Sequence, residues 1–335
     1  MKKLFFVFFM LSLLSCSSQK ADLQQDDKIL SLFLNEISQP RLRETLQVIA
    51  ADSMQGRDTG SEGIKKAANY IVSRYEKEGI SRPPKASGWF QSIPKSFWGN
   101  RFGDSDNIWA FVEGSEKPDE IIVVSAHYDH IGSSFGQIFN GADDNGSGTV
   151  AVMELARVFT QAKLKGFSSK RSILFLLVTA EEKGLYGSDY YSQNPLYPLK
   201  NTVANINIDM IGRVDDLHTD NNYIYVIGAD RLSSELHAIN ETMNRKYVGL
   251  HLDYKYDDRN DPWQIYYRSD HYNFAKHGIP SVFFFNGIHD DYHQPTDTYE
   301  KIDFEALTKR TKLIFALTWE LANRSERIKV DRDGK

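Results

Sequence analysis

The chain contains very little cysteine and no strong excess of either charge. Cys16 is its one cysteine, so the rest of the chain offers no thiolate for catalysis, zinc binding or an internal disulfide. Its 40 basic residues are scattered among 45 acidic ones, for a net charge of −5, which argues against nucleic-acid partners. With 335 residues, 41% of them hydrophobic and 13% aromatic, the chain can nevertheless bury a large core.

No apolar run at the N-terminus is long enough to span a membrane as a helix. The run from Leu4 to Leu14 is interrupted only by Ser12 and follows Lys2 and Lys3. This pattern fits the core of a secretory signal better than a buried first strand.

The stretch "LLSC" resembles the end of a bacterial lipoprotein signal, in which the cysteine becomes the lipidated first residue of the mature chain. On this resemblance we expect a signal peptide over 1–15, a lipid anchor at Cys16 and a polar tether over 16–27. The mature protein would then be exported and anchored by its lipid to a bacterial membrane, facing the periplasm or the cell exterior.

Apolar segments alternate with amphipathic ones in the remaining chain. The apolar segments predict five strands, over 120–126, 172–180, 205–212, 221–228 and 279–287. Three of them are nearly continuous apolar runs, as in strands that are buried on both faces of a mostly parallel sheet.

Amphipathic segments predict helices between and around these strands. They begin near Arg41, Glu62, Gly148, Ser233 and Phe304. The segment 82–107, rich in Pro, Gly, Ser and Trp, predicts a long loop or a hairpin. We therefore predict one α/β domain over 28–325, with a central, mostly parallel mixed sheet flanked by helices on both faces, and a polar tail over 326–335.

The first candidate site motif, "SAHYDHIG", follows the first predicted strand. In an extended segment His127 and Asp129 lie on one face, so the carboxylate can orient a metal-binding imidazole. A surface His-Asp pair is the alternative. His130 should point the other way and is expected to be structural or to lie on the rim of the site.

A glycine-rich turn, "NGADDNGSG", contains Asp143 and Asp144. Turns and helix N-caps prefer these residue types, so we expect one of the two aspartates to have only such a local role. The segment lacks the lysine of a phosphate-binding loop and the spacing of a dinucleotide fingerprint.

Three carboxylates lie at the ends of two later strands. Asp209 lies in an apolar stretch, where an ionised carboxylate needs either a metal or a salt bridge, for which Arg213 is the candidate. Glu181 and Glu182 are adjacent, and in a regular strand neighbouring side chains point to opposite faces. One of these two glutamates could therefore simply be solvated.

The last motif, "NGIHDDYHQP", contains His289 and His293. Their spacing of four suits a helical metal pair, but Gly287 and Pro295 favour a loop, so we expect only one histidine to be a ligand. Taken together, the motifs supply His, Asp, Glu, Asp and His, each from a different connection. Such mixed ligands suit zinc, manganese or cobalt, and they are numerous enough for a two-metal hydrolytic site.

This ordered set of motifs resembles the M28 family of metallopeptidases, from "ADSMQGRDTGSEGIKKAANYI" to "YHQPTDTYEKID". The resemblance implies a zinc aminopeptidase (phosphorylase/hydrolase-like) fold and two zinc ions per chain. It implies the following metal ligands: His127 and Asp209 for one zinc, Glu182 and His293 for the other, and Asp144 as the bridge.

The same resemblance implies roles for three further residues. Glu181 would be the general base, Asp129 the partner that orients His127, and Tyr292 a group that stabilises the tetrahedral intermediate. The segment "RSDHYNFAKHGIP" also matches the family, but we give Asp270 and His271 no direct role.

The implied activity is removal of N-terminal residues from peptides that have a free N-terminus. Separately from the resemblance, we expect the segment 253–270 to form one wall of the specificity pocket. Three alternatives share the fold: a one-zinc glutaminyl-peptide cyclotransferase, a carboxypeptidase or dipeptidase, and a non-catalytic, lipid-anchored binding module. The presence of His127 and Asp209 argues against the first, because together they complete a second metal site. The presence of every implied ligand argues against the last.

Overall fold

The computed structural model describes residues 25–334. The predicted signal peptide, Cys16 and most of the predicted tether lie outside the described residues, so those assignments stay predictions. The chain divides into two units. In the first, which ends at Glu36, the structure describes one helix, α1, over 25–34. The second begins at Ile37 and contains all the elements that follow. Between residues 25 and 334, no helix has both the length and the hydropathy needed to cross a membrane.

A sheet of eight strands organises the second unit, with a separate two-stranded sheet beside it. The strands are β1 (Phe90–Ile93), β2 (Ser105–Val112), β3 (Lys117–His127), β4 (Ser133–Ser134), β5 (Gln137–Ile138), β6 (Arg171–Val178), β7 (Thr202–Ile208), β8 (Tyr223–Ile227), β9 (His251–Asp253) and β10 (Ser281–Phe285). The order in the large sheet is β1-β2-β6-β3-β7-β10-β8-β9, and β4 pairs with β5.

Parallel pairing dominates the centre of the large sheet. Strands β6, β3, β7 and β10 run parallel to one another. The β1–β2 hairpin joins β6 antiparallel, and β8 is antiparallel to β10 but parallel to β9. The predicted mostly parallel mixed sheet is confirmed.

The remaining helices are α2 (Gln39–Ile49), α3 (Glu62–Lys77), α4 (Gly148–Leu164), α5 (Tyr186–Gln193), α6 (Ser234–Met243), α7 (Tyr272–Ala275) and α8 (Phe304–Asn323). Four of them begin at a side chain that accepts a hydrogen bond from a first-turn backbone N–H, which satisfies a donor that the helix itself leaves open. These caps are Ser38, Ser61, Ser233 and Asp303.

Helices cover both faces of the sheet. On one face, Phe159 of α4 packs against Phe315 of α8, with ring centroids 4.5 Å apart, and against Phe175 of β6. On the other face, Tyr191 of α5 and Phe274 of α7 join a buried cluster with alternate residues of β3 and β6. Burial on both faces explains why the central strands are continuous apolar runs.

The segment 82–107, predicted to be a long loop or a hairpin, forms most of the β1–β2 hairpin, with Phe90 opposite Ile108. The structure also contains elements that the sequence patterns did not identify. Strand β2 was not predicted, and neither were α5, α7 or the three-residue β9. These elements are short, or they lie next to a segment dominated by loop-forming residues. Neither the helical period of 3.6 residues nor the strand period of two residues therefore extends far enough to identify them.

Candidate metal centre

The parallel strands bring the predicted site residues to one edge of the sheet. His127 is the last residue of β3, Glu181 and Glu182 follow the end of β6, and Asp209 directly follows β7. Because parallel strands end at the same edge, these side chains meet there. Two further elements complete the site: the turn before α4 supplies Asp144, and the loop after β10 supplies His293.

A first group forms around His127, which is buried. Its Nε2 lies 3.2 Å from Asp209 Oδ1 and 3.4 Å from Asp144 Oδ1. The nearest Glu181 oxygen, Oε2, is farther away, at 4.0 Å. One imidazole nitrogen and two carboxylate oxygens therefore converge on one point.

A second group forms around His293. Its Nε2 lies 3.0 Å from Asp144 Oδ2 and 3.1 Å from Glu182 Oε2. Asp144 thus turns one oxygen toward His127 and the other toward His293. Each group receives one oxygen of the same carboxylate.

These spacings fit divalent metal ions. Zinc lies about 2.0–2.2 Å from nitrogen and oxygen ligands, so two ligands at a tetrahedral site are about 3.3–3.6 Å apart. The four separations within the two groups, 3.0, 3.1, 3.2 and 3.4 Å, are close to that value. Buried carboxylates at such distances also need a cation to balance their charge. The donor set therefore fits two metal ions that share Asp144.

His130 differs from its predicted direction. It is buried, and its Nδ1 lies 2.8 Å from Glu182 Oε1. The expectation that it turns away from the other motif residues was wrong, because β3 ends at His127 and the alternation of a strand does not continue past it.

Spacing alone also groups His130 with Asp144 and Glu182, and Glu181 with His127 and Asp209. The separation of His130 from Asp144 Oδ2 is 3.8 Å, however, while its contact with Glu182 has the length of a hydrogen bond. We therefore interpret His130 as the residue that orients Glu182, which leaves the other Glu182 oxygen to face His293.

Asp129 is placed to hold His127 and the segment after β6. Its backbone carbonyl lies 3.2 Å from His127 Nδ1, and its Oδ1 lies 3.6 Å from the same nitrogen. That Oδ1 also accepts the backbone N–H of Glu181, and its Oδ2 accepts the hydroxyl of Thr59. A hydrogen bond that Nδ1–H donates to this carbonyl leaves Nε2 of His127 available as a ligand atom.

The two adjacent glutamates diverge because the chain bends before them. Strand β6 ends at Val178, and Ala180 has a left-handed backbone with φ of 57°. Glu182 consequently faces His293, while Glu181 lines a pocket beside the first group. Met210 and His293 are also left-handed, each with φ of 55°, so bends of this unusual kind surround the site.

Two alternatives from the sequence can be followed in the structure. Asp143 faces away from both groups: it accepts the N–H of Gly212 and pairs with His289 at 3.1 Å. The salt bridge considered for Asp209 is not formed with Arg213, whose guanidinium instead pairs with Asp291 at 2.8 Å.

Burial and close charges shift the pKa values of the site. Burial raises the pKa of Glu181 well above its ordinary value, and nearby carboxylates add to the effect. Burial and Glu182 likewise raise the pKa of Asp144.

The pKa of Glu182 shifts in the opposite direction. Burial opposes its ionisation as well, but hydrogen bonds from His130 and His293 outweigh burial and hold the pKa of Glu182 well below the usual range. Burial opposes protonation of His293, but its contacts with Asp144 and Glu182 outweigh burial and raise its pKa to about 10. Without metal, these protons partly offset the negative charge.

Four residues that sequence reasoning did not assign hold the site together. Ser269 donates its hydroxyl to Asp209 Oδ2 at 2.7 Å. Asp297 accepts the backbone N–H groups of Asp143 and Asp144. Its position in the segment "HQPTDTYEKID", two residues after a proline, was the available signal.

The other two unassigned residues bind backbone. Asn145 donates to the carbonyl of Ile208 and accepts the N–H groups of Gly148 and Met210, so it joins the Asp144 turn to the end of β7. Arg57 is buried and donates to four backbone carbonyls. These belong to Ile49, Tyr128, Asn140 and Gly141. Burial lowers the pKa of Arg57 to about 10.

A pocket lined by equal numbers of apolar and polar residues opens beside the metal-ligand groups. Its apolar lining consists of Met210, Ile265, Phe283, Phe285 and Ile288. Its polar lining consists of Asp144, Glu181, Asp209, Arg268 and Tyr292. Ile265 and Arg268 come from the segment 253–270, which was the predicted wall.

Tyr292 and Asp270 occupy different positions around the site. Tyr292 stacks on His293, with ring centroids 3.9 Å apart, and lines the pocket. Asp270 is buried and accepts the hydroxyl of Ser188 at 2.5 Å. Burial raises the pKa of Asp270 to about 7, with Asp129 and Asp209 adding to the effect.

The chain is similar to several known proteins. The profile of peptidase family M28 matches residues 107–318. A probable leucine aminopeptidase of Arthroderma otae is 31% identical over 224 residues, which cover 64% of this chain and 57% of that protein. The chain thus spans little more than half the length of that relative.

Solved structures share the fold. LapB of Legionella pneumophila superposes with a TM-score of 0.70 at 24% identity, covering 89% of this chain and 75% of LapB. A protein described as a zinc aminopeptidase of Bacillus subtilis gives a TM-score of 0.65 at 20% identity, covering 89% of this chain and 99% of that one.

We predict that Arg57→Leu lowers the free energy of unfolding by at least about 3 kcal/mol, because several buried carbonyls lose their donor and each such loss costs about 1–3 kcal/mol. Urea denaturation with a metal chelator present measures the change. Arg327→Leu is the matched control, since this exposed arginine also donates to backbone carbonyls, those of Lys200 and Thr202. It should cost less than about 1 kcal/mol. Equal losses would contradict the role given to Arg57.

Proposed function

Because the chain belongs to peptidase family M28, we propose that it is a zinc-dependent aminopeptidase that removes N-terminal residues from peptides. The observation that carries this proposal is the placement of Asp144, whose two oxygens face His127 and His293 separately. A pocket with five apolar lining residues lies beside these groups, and both a sequence relative and a structural neighbour are described as aminopeptidases.

In this proposal two zinc ions are held by the five predicted ligands. His127 and Asp209 would hold one ion, Glu182 and His293 would hold the other, and Asp144 would contribute an oxygen to each. When bound, the two ions supply Lewis acidity, which lowers the pKa of water to about 7 and polarises the carbonyl of the scissile bond.

Glu181 is proposed as the general base. It lines the pocket but lies farther from His127 than the two proposed ligand oxygens do. Because burial raises its pKa, its carboxylate is basic enough to accept a proton from the attacking water. The water adds its oxygen to the carbonyl carbon. The bond between that carbon and the amine nitrogen then breaks, and Glu181 passes the proton to this nitrogen. Glu181 gives up the same number of protons as it accepts, so it ends the reaction as a carboxylate, as it began.

Two further residues support this chemistry. Asp129 keeps His127 in the orientation that exposes Nε2. Tyr292 lines the same pocket, and burial raises its pKa, so its hydroxyl stays protonated. A protonated phenol can donate a hydrogen bond to the oxygen that gains negative charge in the transition state.

The pocket suggests which N-terminus is bound. Asp144, Glu181 and Asp209 present carboxylates that attract a free α-ammonium group. The apolar lining, which includes Phe283 and Ile265, favours a bulky apolar first side chain. Among the described residues, Arg268 is the one cationic side chain in the lining, and it disfavours a basic first residue.

We predict that zinc-loaded protein hydrolyses leucine and phenylalanine amides at least about tenfold faster than alanine amide, since each buried methylene adds about 1–3 kcal/mol of selectivity. An N-acetylated leucine peptide should not be cleaved, because acetylation removes the α-ammonium charge. Chromatography that separates the products from the substrates measures both the relative rates on the amides and the cleavage of the acetylated peptide.

Adding a peptide with N-terminal glutamine to this substrate panel separates the aminopeptidase from the alternative functions. Cyclisation of a peptide with N-terminal glutamine would identify a cyclotransferase instead. Cleavage of the blocked peptide alone would indicate a carboxypeptidase or endopeptidase, and no turnover of any substrate would indicate a binding module.

We predict opposite defects for the two adjacent glutamates. Glu181→Gln should retain the metal content of the unaltered protein but lose about 10²–10⁴-fold in kcat, which is the contribution typical of a general base. Glu182→Gln should lower the metal content because it removes a ligand oxygen. Each variant is the control for the other, with metal counted by mass spectrometry. Unchanged turnover in Glu181→Gln would refute its assignment as the base.

A further inference from the structure

A third group of potential metal ligands lies away from the groups around His127 and His293. It consists of His218, in the loop between β7 and β8, and His251 and Asp253, in β9. One ligand atom from each lies within 4.8 Å of the others. The proposed peptidase mechanism uses none of the three.

The register of the sheet explains how these residues meet. Strand β9 pairs with β8 so that His251 lies beside Tyr223 and Asp253 beside Tyr225. Residues two apart in a strand share a face, so all four side chains lie on one face of the sheet. The ring of His218 stacks on Tyr223, with centroids 3.3 Å apart, and meets the ring of Tyr225 edge-on. These contacts fix the plane of the His218 ring.

A buried carboxylate fixes which nitrogen of His218 is free. Its Nδ1 lies 2.7 Å from Asp215 Oδ1. Asp215 is buried and also accepts the hydroxyls of Tyr223 and Tyr225, so its own position is well determined. With Nδ1 donating to this carboxylate, the lone pair of Nε2 is available to a metal. A carboxylate behind a ligand histidine is the usual support of a zinc site.

The free nitrogen faces a second ligand at the right distance. His218 Nε2 lies 3.3 Å from Asp253 Oδ2, which matches the separation of about 3.3–3.6 Å between two ligands of a tetrahedral zinc ion. His251 is exposed, so its ring can rotate to complete the set. Two imidazoles and one carboxylate leave a fourth position for water.

We propose that His218, His251 and Asp253 bind one divalent ion of the zinc class, with Asp215 as the positioning residue behind His218. The ion joins the loop that follows Asp209 to the three-residue edge strand β9. The loop starts at a proposed catalytic ligand, and the chain after β9 leads to the pocket wall at Ile265 and Arg268. The site therefore stabilises the fold around the catalytic centre without taking part in hydrolysis.

The rival interpretation needs no metal: a protonated His218 would form an ion pair with Asp215 and Asp253 together. The two interpretations differ in what His251 contributes. A metal site needs its imidazole, whereas the ion pair does not.

The experiment counts zinc per chain by mass spectrometry, after the full protein has been loaded with a modest excess of zinc and passed through gel filtration. His251→Ala should bind about one ion fewer than the unaltered protein. His277→Ala is the matched control, because His277 is also exposed and belongs to none of the three metal-ligand groups. The zinc content of this variant should equal that of the unaltered protein. Equal zinc content in His251→Ala and the unaltered protein would overturn the proposal. The test compares the zinc content of the variant with that of the unaltered protein. Its outcome therefore does not depend on whether the catalytic centre binds two ions, one or none.

A second variant separates the metal from the ion pair. Asp253→Asn should melt at the temperature of the unaltered protein when a chelator is present, but should lose part of the rise in Tm that zinc produces. If Asp253→Asn lowers Tm in the chelator and leaves the zinc content unchanged, the contact is an ion pair only and the proposal fails.

Discussion

The sharing of one carboxylate between two imidazole groups is the interaction on which the rest of the site depends. Asp144 reaches 3.4 Å from His127 with one oxygen and 3.0 Å from His293 with the other. Glu182 and Asp209 complete the groups on either side, so several carboxylates lie in a buried space where like charges repel strongly. Only cations, whether protons or metal ions, make such an arrangement stable. The geometry and the pKa shifts therefore express one requirement, balance of the buried negative charge, which the proposed pair of metal ions would meet.

Holding these charges in place requires support from outside the ligand set. Asp297 fixes the backbone of Asp144, and Asn145 joins the same turn to the end of β7. Arg57 donates to the carbonyl of Tyr128, directly after His127, and to that of Gly141, at the start of the turn that carries Asp144. These contacts are hydrogen bonds to buried backbone, which a loop without regular structure would otherwise leave unpaired. The supporting residues thus let irregular loops present ligands with the precision that metal binding needs.

Much of this arrangement could be predicted because it follows from local patterns. Continuous apolar runs identified the central strands, and a polar residue at the end of such a run indicated a site residue, as with His127 and Asp209. The supporting contacts could not be predicted in this way. Arg57 and Ser269 act on residues far away in the sequence, and nothing in their local surroundings distinguishes them from surface residues. The direction of His130 was predicted wrongly because the strand period was extended past the end of β3.

The most direct test of the account is a crystal structure of the zinc-loaded protein, with anomalous scattering measured on both sides of the zinc absorption edge. We predict two anomalous peaks about 3.5–4 Å apart. One should contact Oδ1 of Asp144 together with His127 and Asp209, and the other Oδ2 of Asp144 together with Glu182 and His293. A single peak at this centre, or two peaks that do not share Asp144, would contradict the account.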